Sequence, residues 1–137
     1  LCDIEAYAPY DNISELTARV NDDGWDSTIH NWLKVSRLKK NDGLLVFSVG
    51  GGSAANNISG NIVTALKYAR EVGASISGIV GKDGGFTKEV GTAVVVIPTV
   101  NKAHITPITE GFQALIWHLL VSHPRLQVNV TKWESTF

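Results

Sequence analysis

Short apolar runs alternate along the chain with longer stretches in which apolar residues recur at helical spacing. The short runs predict strands near residues 3–8, 44–49, 75–80 and 93–98. The longer stretches predict helices near residues 12–20, 26–36, 58–72 and 107–122, with a short helix near 86–91. Because strands and helices alternate, the pattern predicts an α/β fold built on a parallel sheet.

Two of the predicted strands contain unbroken apolar runs, at positions 44–47 and 94–97. A strand covered by helices on both faces has such a continuous run, whereas a strand with one solvated face alternates apolar and polar residues. We therefore expect both to be buried central strands.

Several helix ends carry recognisable capping residues. Thr106 followed by Pro107 offers an N-cap hydroxyl ahead of a proline at the first helical position, so the last long helix is predicted to begin there. It is expected to end before Pro124, because a proline disfavours helical geometry in the residue that precedes it. Gly73 suits the left-handed cap of the helix before the third predicted strand.

The composition is that of an ordinary globular domain, with 137 residues of which 44% are apolar and 18% charged. Twelve basic and thirteen acidic residues give a net charge of -1, without the basic excess typical of nucleic-acid-binding proteins. Cys2 is the single cysteine, and no apolar run approaches the roughly 18 residues of a membrane span. We expect a cytoplasmic protein with no nucleic-acid or membrane partner. Because the chain starts at Leu1 and contains no methionine, we also expect a fragment of a longer protein.

A loop rich in glycine and serine occupies positions 48–53, between a predicted strand and a predicted helix. Glycines let backbone N–H groups approach an anion closely, and serine hydroxyls add donors. The loop therefore predicts a phosphate site, although a flexible connection from strand to helix would have the same composition. A second glycine turn at 81–85 follows the next strand, so both loops should lie at one edge of the sheet. Lys82 in that turn either faces the anion or is a solvated cation.

Glu110 and His118 lie eight residues apart on the last predicted helix, about 80 degrees apart around its axis. A carboxylate and an imidazole on one broad face can share a metal ion or divide acid–base work. A hydrogen-bonded core histidine is the alternative for His118. The polar segment at 21–25 is explained as a turn from its composition alone.

Three segments together resemble the SIS (sugar isomerase) domain, and within it the phosphoheptose isomerase family. Positions 79–85, Ile-Val-Gly-Lys-Asp-Gly-Gly, are similar to the family's L-T-G-K-D-G-G turn. Positions 21–25 are similar to its N-D-x-G-F segment, and positions 48–53 to its phosphate loop S-T-S-G-N-S. The resemblance covers a domain at 1–123 and leaves 124–137 as a C-terminal tail.

The resemblance implies a three-layer αβα fold with a flavodoxin-like parallel sheet. It also implies an intramolecular oxidoreductase that interconverts ketose and aldose phosphates through an enediol, as part of carbohydrate metabolism. The substrate-binding residues would be Ser48, Gly51, Gly52, Ser53, Asp22, Lys82 and Asp83. The catalytic residues would be Glu110 and His118, which stand where some family members bind zinc.

The chain also departs from the family pattern. Val49 and Gly50 replace hydroxyl-bearing residues of the phosphate loop, about five residues are inserted before the helix, and Pro107 replaces a substrate-contacting aspartate. These losses of polar groups keep open the alternative of a non-catalytic phosphosugar-binding or regulatory module.

The family's first strand, its G-N-G-G-S loop and the helix with the catalytic glutamate would all precede Leu1. We therefore expect a sheet truncated at its N-terminal side, beside the strand at 44–49. The glutamate base would come from an upstream segment or a neighbouring subunit. By resemblance the protein is expected to be a homo-oligomer, a tetramer.

Overall fold

A computed structural model of the chain describes residues 1–132 and contains an open sheet of three parallel strands. The strands are β1 (Gly43–Ser48), β2 (Ser75–Val80) and β3 (Ala93–Val96), in the spatial order β1-β2-β3. Leu44 pairs with Ile76, and Ile79 pairs with Val95. The three strands predicted at 44–49, 75–80 and 93–98 are therefore confirmed, as is the parallel sheet.

Five α-helices surround the sheet within the described part of the chain. They are α1 (Ile13–Asp23), α2 (Thr28–Val35), α3 (Gly60–Val72), α4 (Gly85–Val90) and α5 (Ile105–Val121). Short 3-10 helices precede α2 and α5, at Trp25–Ser27 and Lys102–His104. No helix in residues 1–132 is both long and apolar enough to cross a membrane.

The sheet has helices on both faces, as the α/β prediction required. On one face, Leu66 and Ala69 of α3 pack with Ile76 of β2 in a fully buried apolar cluster. On the other face, α5 lies against the central strand, and the Gln113 side-chain amide donates to the Ile79 carbonyl at 2.8 Å. Burial of the apolar cluster stabilises the packing of α3 on the sheet.

The strand β2 is central and buried, whereas β1 and β3 are edge strands of the described sheet. Leu45 and Phe47 of β1 are 49% and 45% exposed, and Val95 of β3 is 46% exposed. The prediction that both apolar runs form buried central strands is therefore wrong. An apolar run shows that a strand is hydrophobic, but burial also requires a helix that covers the strand. The helix α5 covers only part of the sheet face that contains Leu45, Phe47 and Val95.

The strand predicted at 3–8 is absent, and these residues are exposed and irregular. A strand requires a hydrogen-bonded neighbour, and this segment does not pair with the sheet. The N-terminus contacts the C-terminal tail instead, because the Val128 and Asn129 N–H groups donate to the Leu1 carbonyl at 2.9 and 3.0 Å. Of the predicted tail, residues 133–137 lie outside the described part of the chain.

Helix ends agree with the predicted caps at two of three places. Gly73 ends α3 in the left-handed conformation with φ of 79°, and α5 ends at Val121, before Pro124. The helix α5 begins at Ile105, two residues earlier than the predicted start at Pro107. Asn101 caps the preceding 3-10 turn through its side chain, which extends the helical segment upstream.

Candidate functional site

The two glycine loops meet at the carboxyl edge of the sheet and are hydrogen-bonded to each other. The Gly51 carbonyl accepts from the Thr87 N–H at 2.9 Å and from the Thr87 hydroxyl at 2.8 Å. The Gly52 carbonyl accepts from the Phe86 N–H at 2.8 Å, and the Gly81 N–H donates to the Val49 carbonyl at 3.1 Å. The expected juxtaposition of the loops at one edge is therefore present.

Close packing explains why glycine occupies the centre of both loops. A Cβ atom on Gly51, whose φ is 70°, would lie 2.0 Å from the Gly84 carbonyl oxygen. A Cβ atom on Gly85 would lie 2.2 Å from the Gly50 carbonyl oxygen. The backbone conformation and the contact between loops thus both require glycine.

The first loop retains hydrogen-bond donors that have no acceptor among residues 1–132. The Ser48 hydroxyl accepts from the Gly51 N–H at 3.0 Å, and the Ser53 hydroxyl accepts from the Asn56 N–H at 3.2 Å. Each hydroxyl keeps its own proton to donate. Within residues 1–132, the Gly52 N–H donates to no protein acceptor although the residue is buried. Buried N–H groups are nearly always paired, so this amide is suited to a bound acceptor.

The residues inserted before α3 form a small hairpin. Two backbone hydrogen bonds, at 2.9 and 3.1 Å, join Ser53 and Ile58. Ser59 then has a left-handed φ of 51° before α3 begins at Gly60. The first glycine loop is consequently separated from the N-terminus of α3 by the hairpin at 53–58. The donors of the loop itself are therefore the groups available to an anion at this place.

The two candidate residues of the second loop differ in their surroundings. Lys82 lies along the first loop, because a Cβ atom on Gly50 would be 3.8 Å from both its Cδ and its Nζ. It has no hydrogen-bond or ion-pair partner among residues 1–132. The Asp83 carboxylate accepts from the Gly85 N–H at 3.1 Å. Asp83 thus has a role in the turn, whereas the Lys82 ammonium is available to a ligand.

Glu110 and His118 are exposed on α5, while Thr109 and Gln113 of the same helix are buried against the sheet. Five residues separate Gln113 from His118, which places them about 140 degrees apart around the axis. The His118 ring stacks on Trp117 with 3.7 Å between ring centroids. The alternative of a core histidine is wrong, because the helix turns His118 away from the sheet.

The predicted zinc pair does not make a metal site by itself. Eight residues of helix separate the Cα atoms of Glu110 and His118 by about 12 Å along the axis. No group of three or more histidine, cysteine, aspartate or glutamate side chains suited to a metal occurs in residues 1–132. Since zinc takes four ligands in proteins, these two residues do not fit a zinc ion without ligands from elsewhere.

Asp22 lies near the end of α1, which continues to Asp23, so the predicted turn at 21–25 is confined to its second half. Gly24 changes the chain direction with φ of 78°. The Asp22 carboxylate is exposed and accepts from the Asn21 side chain at 2.8 Å. None of its described hydrogen bonds reaches the glycine loops.

A partly buried polar network that the sequence did not reveal joins Tyr10 and Thr28 to Asn61 at the start of α3. The Asn61 side-chain amide donates to the Tyr10 hydroxyl at 2.6 Å, and that hydroxyl is 3.1 Å from the Thr28 hydroxyl. The Tyr10 ring stacks on Trp25.

Thr87 was also not identified from the sequence as a residue of the site. A single threonine after a glycine turn gives no local signal of a contact 36 residues away.

Much of the apolar surface of α5 is exposed in the described chain. We call these residues the α5 apolar surface: Phe112, Leu115, Trp117, Leu119 and Leu120. His118 lies among them.

Two shallow cavities, of about 200 and 310 Å³, are lined by residues outside the glycine loops.

No family model matches the chain. It is similar in sequence to the lincomycin biosynthesis protein LmbN of Streptomyces lincolnensis, with 31% identity over 118 residues that cover 82% of this chain and 41% of that protein. It is 30% identical over 115 residues to a phosphoheptose isomerase of Aliarcobacter butzleri, covering 84% of this chain and 52% of the enzyme. The chain thus spans about half the length of the curated relatives it matches.

Solved structures show the same relationship. The phosphoheptose isomerase GmhA of Neisseria gonorrhoeae superposes with a TM-score of 0.67 at 26% identity, over 85% of this chain and 61% of that one. A phosphoheptose isomerase of Francisella tularensis superposes with a TM-score of 0.64 over 83% of this chain and 58% of that one. At 22% identity, the second likeness bears on the fold alone.

Proposed function

Because the chain belongs to the phosphoheptose isomerase-like family, we propose that the protein is a phosphosugar isomerase that interconverts ketose and aldose phosphates. In this proposal the described chain contributes the phosphate-binding part of the site. The observation that supports it most is the pair of glycine loops, hydrogen-bonded to each other at the carboxyl edge of a parallel sheet, whose free donors bond no acceptor in the described part of the chain. Ligands of open α/β folds bind at this edge.

The phosphate group would be held by the first loop and by Lys82. The hydroxyl protons of Ser48 and Ser53 are free to donate, and the Gly52 N–H has no protein acceptor within residues 1–132. The Lys82 ammonium supplies positive charge next to Gly50. This charge compensates for the absence of hydroxyl groups at Val49 and Gly50, because ionised donors form stronger hydrogen bonds than neutral ones.

Catalysis would proceed through an enediol. A base removes a proton from C1 of the ketose phosphate, and a proton is then delivered to C2 while the O1 hydroxyl proton passes to O2, which gives the aldose. His118 would serve as the acid–base group, since imidazole titrates near neutrality. Asp22 would bind a sugar hydroxyl, and Glu110 would make a polar contact. The glutamate base would come from a segment beyond the described residues or from a neighbouring subunit.

Association of copies in the cytoplasm is part of the same proposal. His118 is exposed among the residues of the α5 apolar surface, so a packed partner is needed to enclose it. Three of these residues, Phe112, Leu115 and Leu119, lie within about 60 degrees of one another around the helix axis, and an exposed apolar stripe of this kind marks interfaces. A homo-oligomer, a tetramer by family resemblance, would supply such a partner.

A second candidate function is a phosphosugar-binding module without turnover. Two observations favour it: His118 is exposed nine residues along α5 from Thr109, which packs against Gly81 of the second loop, and Asp83 is engaged in its own turn. In that case the protein would bind sugar phosphates and transmit their presence to another domain or protein.

One experiment separates the two functions. The full-length protein is titrated with sedoheptulose 7-phosphate by calorimetry, and conversion to the aldose phosphate is followed by NMR, for the wild type and for His118→Ala. Binding with turnover that His118→Ala abolishes supports the isomerase. Binding without turnover, unaffected by His118→Ala, supports the binding module. If no binding is detected, both functions are rejected.

A further inference from the structure

We infer that Thr87 is the positioning residue that orients the Gly51–Gly52 peptide for phosphate binding, an inference that rests on the proposed function. Thr87 is fully buried in α4. Its N–H and its hydroxyl both donate to the Gly51 carbonyl, at 2.9 and 2.8 Å. A single carbonyl thus accepts two hydrogen bonds from one buried residue.

The planarity of the peptide bond turns this contact into an effect on the anion site. The Gly51 C=O and the Gly52 N–H belong to one trans peptide group, so they point in opposite directions. When Thr87 holds the carbonyl on the α4 side, the Gly52 N–H is held on the other side. That N–H has no acceptor among residues 1–132.

The loop needs this restraint because its backbone is free to adopt other conformations. Gly51 and Gly52 both have positive φ, at 70° and 79°, and glycine visits either sign of φ readily. A rotated peptide would present the Gly51 carbonyl to the anion in place of the N–H, and a carbonyl oxygen repels phosphate. Two donors on Thr87 disfavour this rotated state more than one donor does.

Phe86 and Ser48 hold the rest of the loop but not the Gly51–Gly52 peptide. The Phe86 N–H donates to the Gly52 carbonyl, which fixes the following peptide group. The Ser48 hydroxyl accepts from the Gly51 N–H, which fixes the preceding one. The orientation of the Gly52 N–H is therefore the part of the loop that depends on Thr87.

The test compares Thr87→Val, which keeps the shape but removes the hydroxyl, with Thr87→Ser, which keeps the hydroxyl. Inorganic phosphate and sedoheptulose 7-phosphate are titrated into the full-length protein, and the Gly52 amide is followed by ¹H–¹⁵N NMR. The matched control is Thr64→Val, because the Thr64 hydroxyl also donates to a backbone carbonyl, that of Asp26, away from the glycine loops.

We expect Thr87→Val to weaken binding of both ligands by on the order of fivefold to tenfold, with KM raised and kcat little changed. Thr87→Ser and Thr64→Val should bind as the wild type does. Wild-type affinity in a folded Thr87→Val protein would overturn the inference but not the proposed function. If Thr87→Val fails to fold, the titration of the wild type with phosphate tests the inference instead. A Gly52 amide resonance that does not shift on addition of phosphate would overturn the inference. A wild type that binds neither ligand rejects the proposed function itself.

Discussion

The Lys82 side chain lies alongside Gly50, so that a Cβ atom on Gly50 would be 3.8 Å from Lys82 Nζ. The two residues come from different loops, one after β1 and one after β2, and they meet because parallel strands end at the same edge of the sheet. A cation is thereby placed next to a loop whose Val49 and Gly50 carry no hydroxyl. This placement supports the proposed role of Lys82 in binding a phosphate group.

Replacement of Lys82 by glutamine should weaken phosphate binding about tenfold, because a charged donor becomes a neutral one. Added salt should weaken binding by the wild type more than by Lys82→Gln, since screening acts on the charge that the variant lacks. Calorimetric titration with sedoheptulose 7-phosphate at low and high salt measures both effects. Lys67→Gln is the control, because Lys67 is exposed on α3, away from the loops. Equal affinities of Lys82→Gln and the wild type would contradict the prediction.

Gly51→Ala should destabilise the fold by at least about 2 kcal/mol, because the new methyl group would meet the Gly84 carbonyl at 2.0 Å and φ is positive. Gly73→Ala is a matched control, since Gly73 has a left-handed φ of 79° and a Cβ atom there would meet only the Lys40 side chain at 3.7 Å, an ordinary contact distance. That substitution should cost about 1 kcal/mol from backbone strain alone. Urea denaturation gives both free energies of unfolding. A loss at Gly51 no larger than at Gly73 would show that the loops separate easily.

Local patterns were enough to predict the strands at 44–49, 75–80 and 93–98 and the glycine cap at Gly73, because each depends on residues that are adjacent in sequence. The strand predicted at 3–8, Asp-Ile-Glu-Ala-Tyr-Ala, has apolar residues interrupted by two acidic ones and has no partner in the described sheet. Pairing is a property of distant segments, so the apolar content of a segment cannot show whether its backbone will be hydrogen-bonded to a neighbour.

The same distinction between local patterns and distant contacts applies to the candidate site. That the loops at 48–53 and 81–85 share one edge follows from parallel topology, and the structure has them hydrogen-bonded to each other. The contact from Thr87 to Gly51 and the exposure of His118 did not follow from the sequence. Helical spacing orders the faces of α5 relative to one another, but which face lies against the sheet is decided by Thr109 and Gln113, two buried polar residues.

Tyr10→Phe should destabilise the protein by about 1–3 kcal/mol, because the buried Asn61 amide would lose its acceptor. Tyr7→Phe is the control. The Tyr7 hydroxyl is exposed and bonded to Glu5, which raises the pKa of Tyr7, and its loss should leave the unfolding midpoint unchanged. Thermal denaturation followed by circular dichroism compares the two. Equal midpoints for both variants would mean that Asn61 finds another partner when Tyr10 loses its hydroxyl.

Leu119→Lys should dissociate the proposed oligomer, because it places a charge in the α5 apolar surface, where Leu119 is 59% exposed in the single chain. A buried interface does not tolerate an unpaired ammonium group, whereas an exposed position does. Sedimentation equilibrium of the full-length protein gives the mass of the assembly. Ile58→Lys, on the hairpin at 53–58 and 57% exposed, is the matched control and should leave that mass unchanged. Because His118 precedes Leu119, dissociation by Leu119→Lys should also reduce turnover. An assembly of unchanged mass would show that another surface holds the copies together.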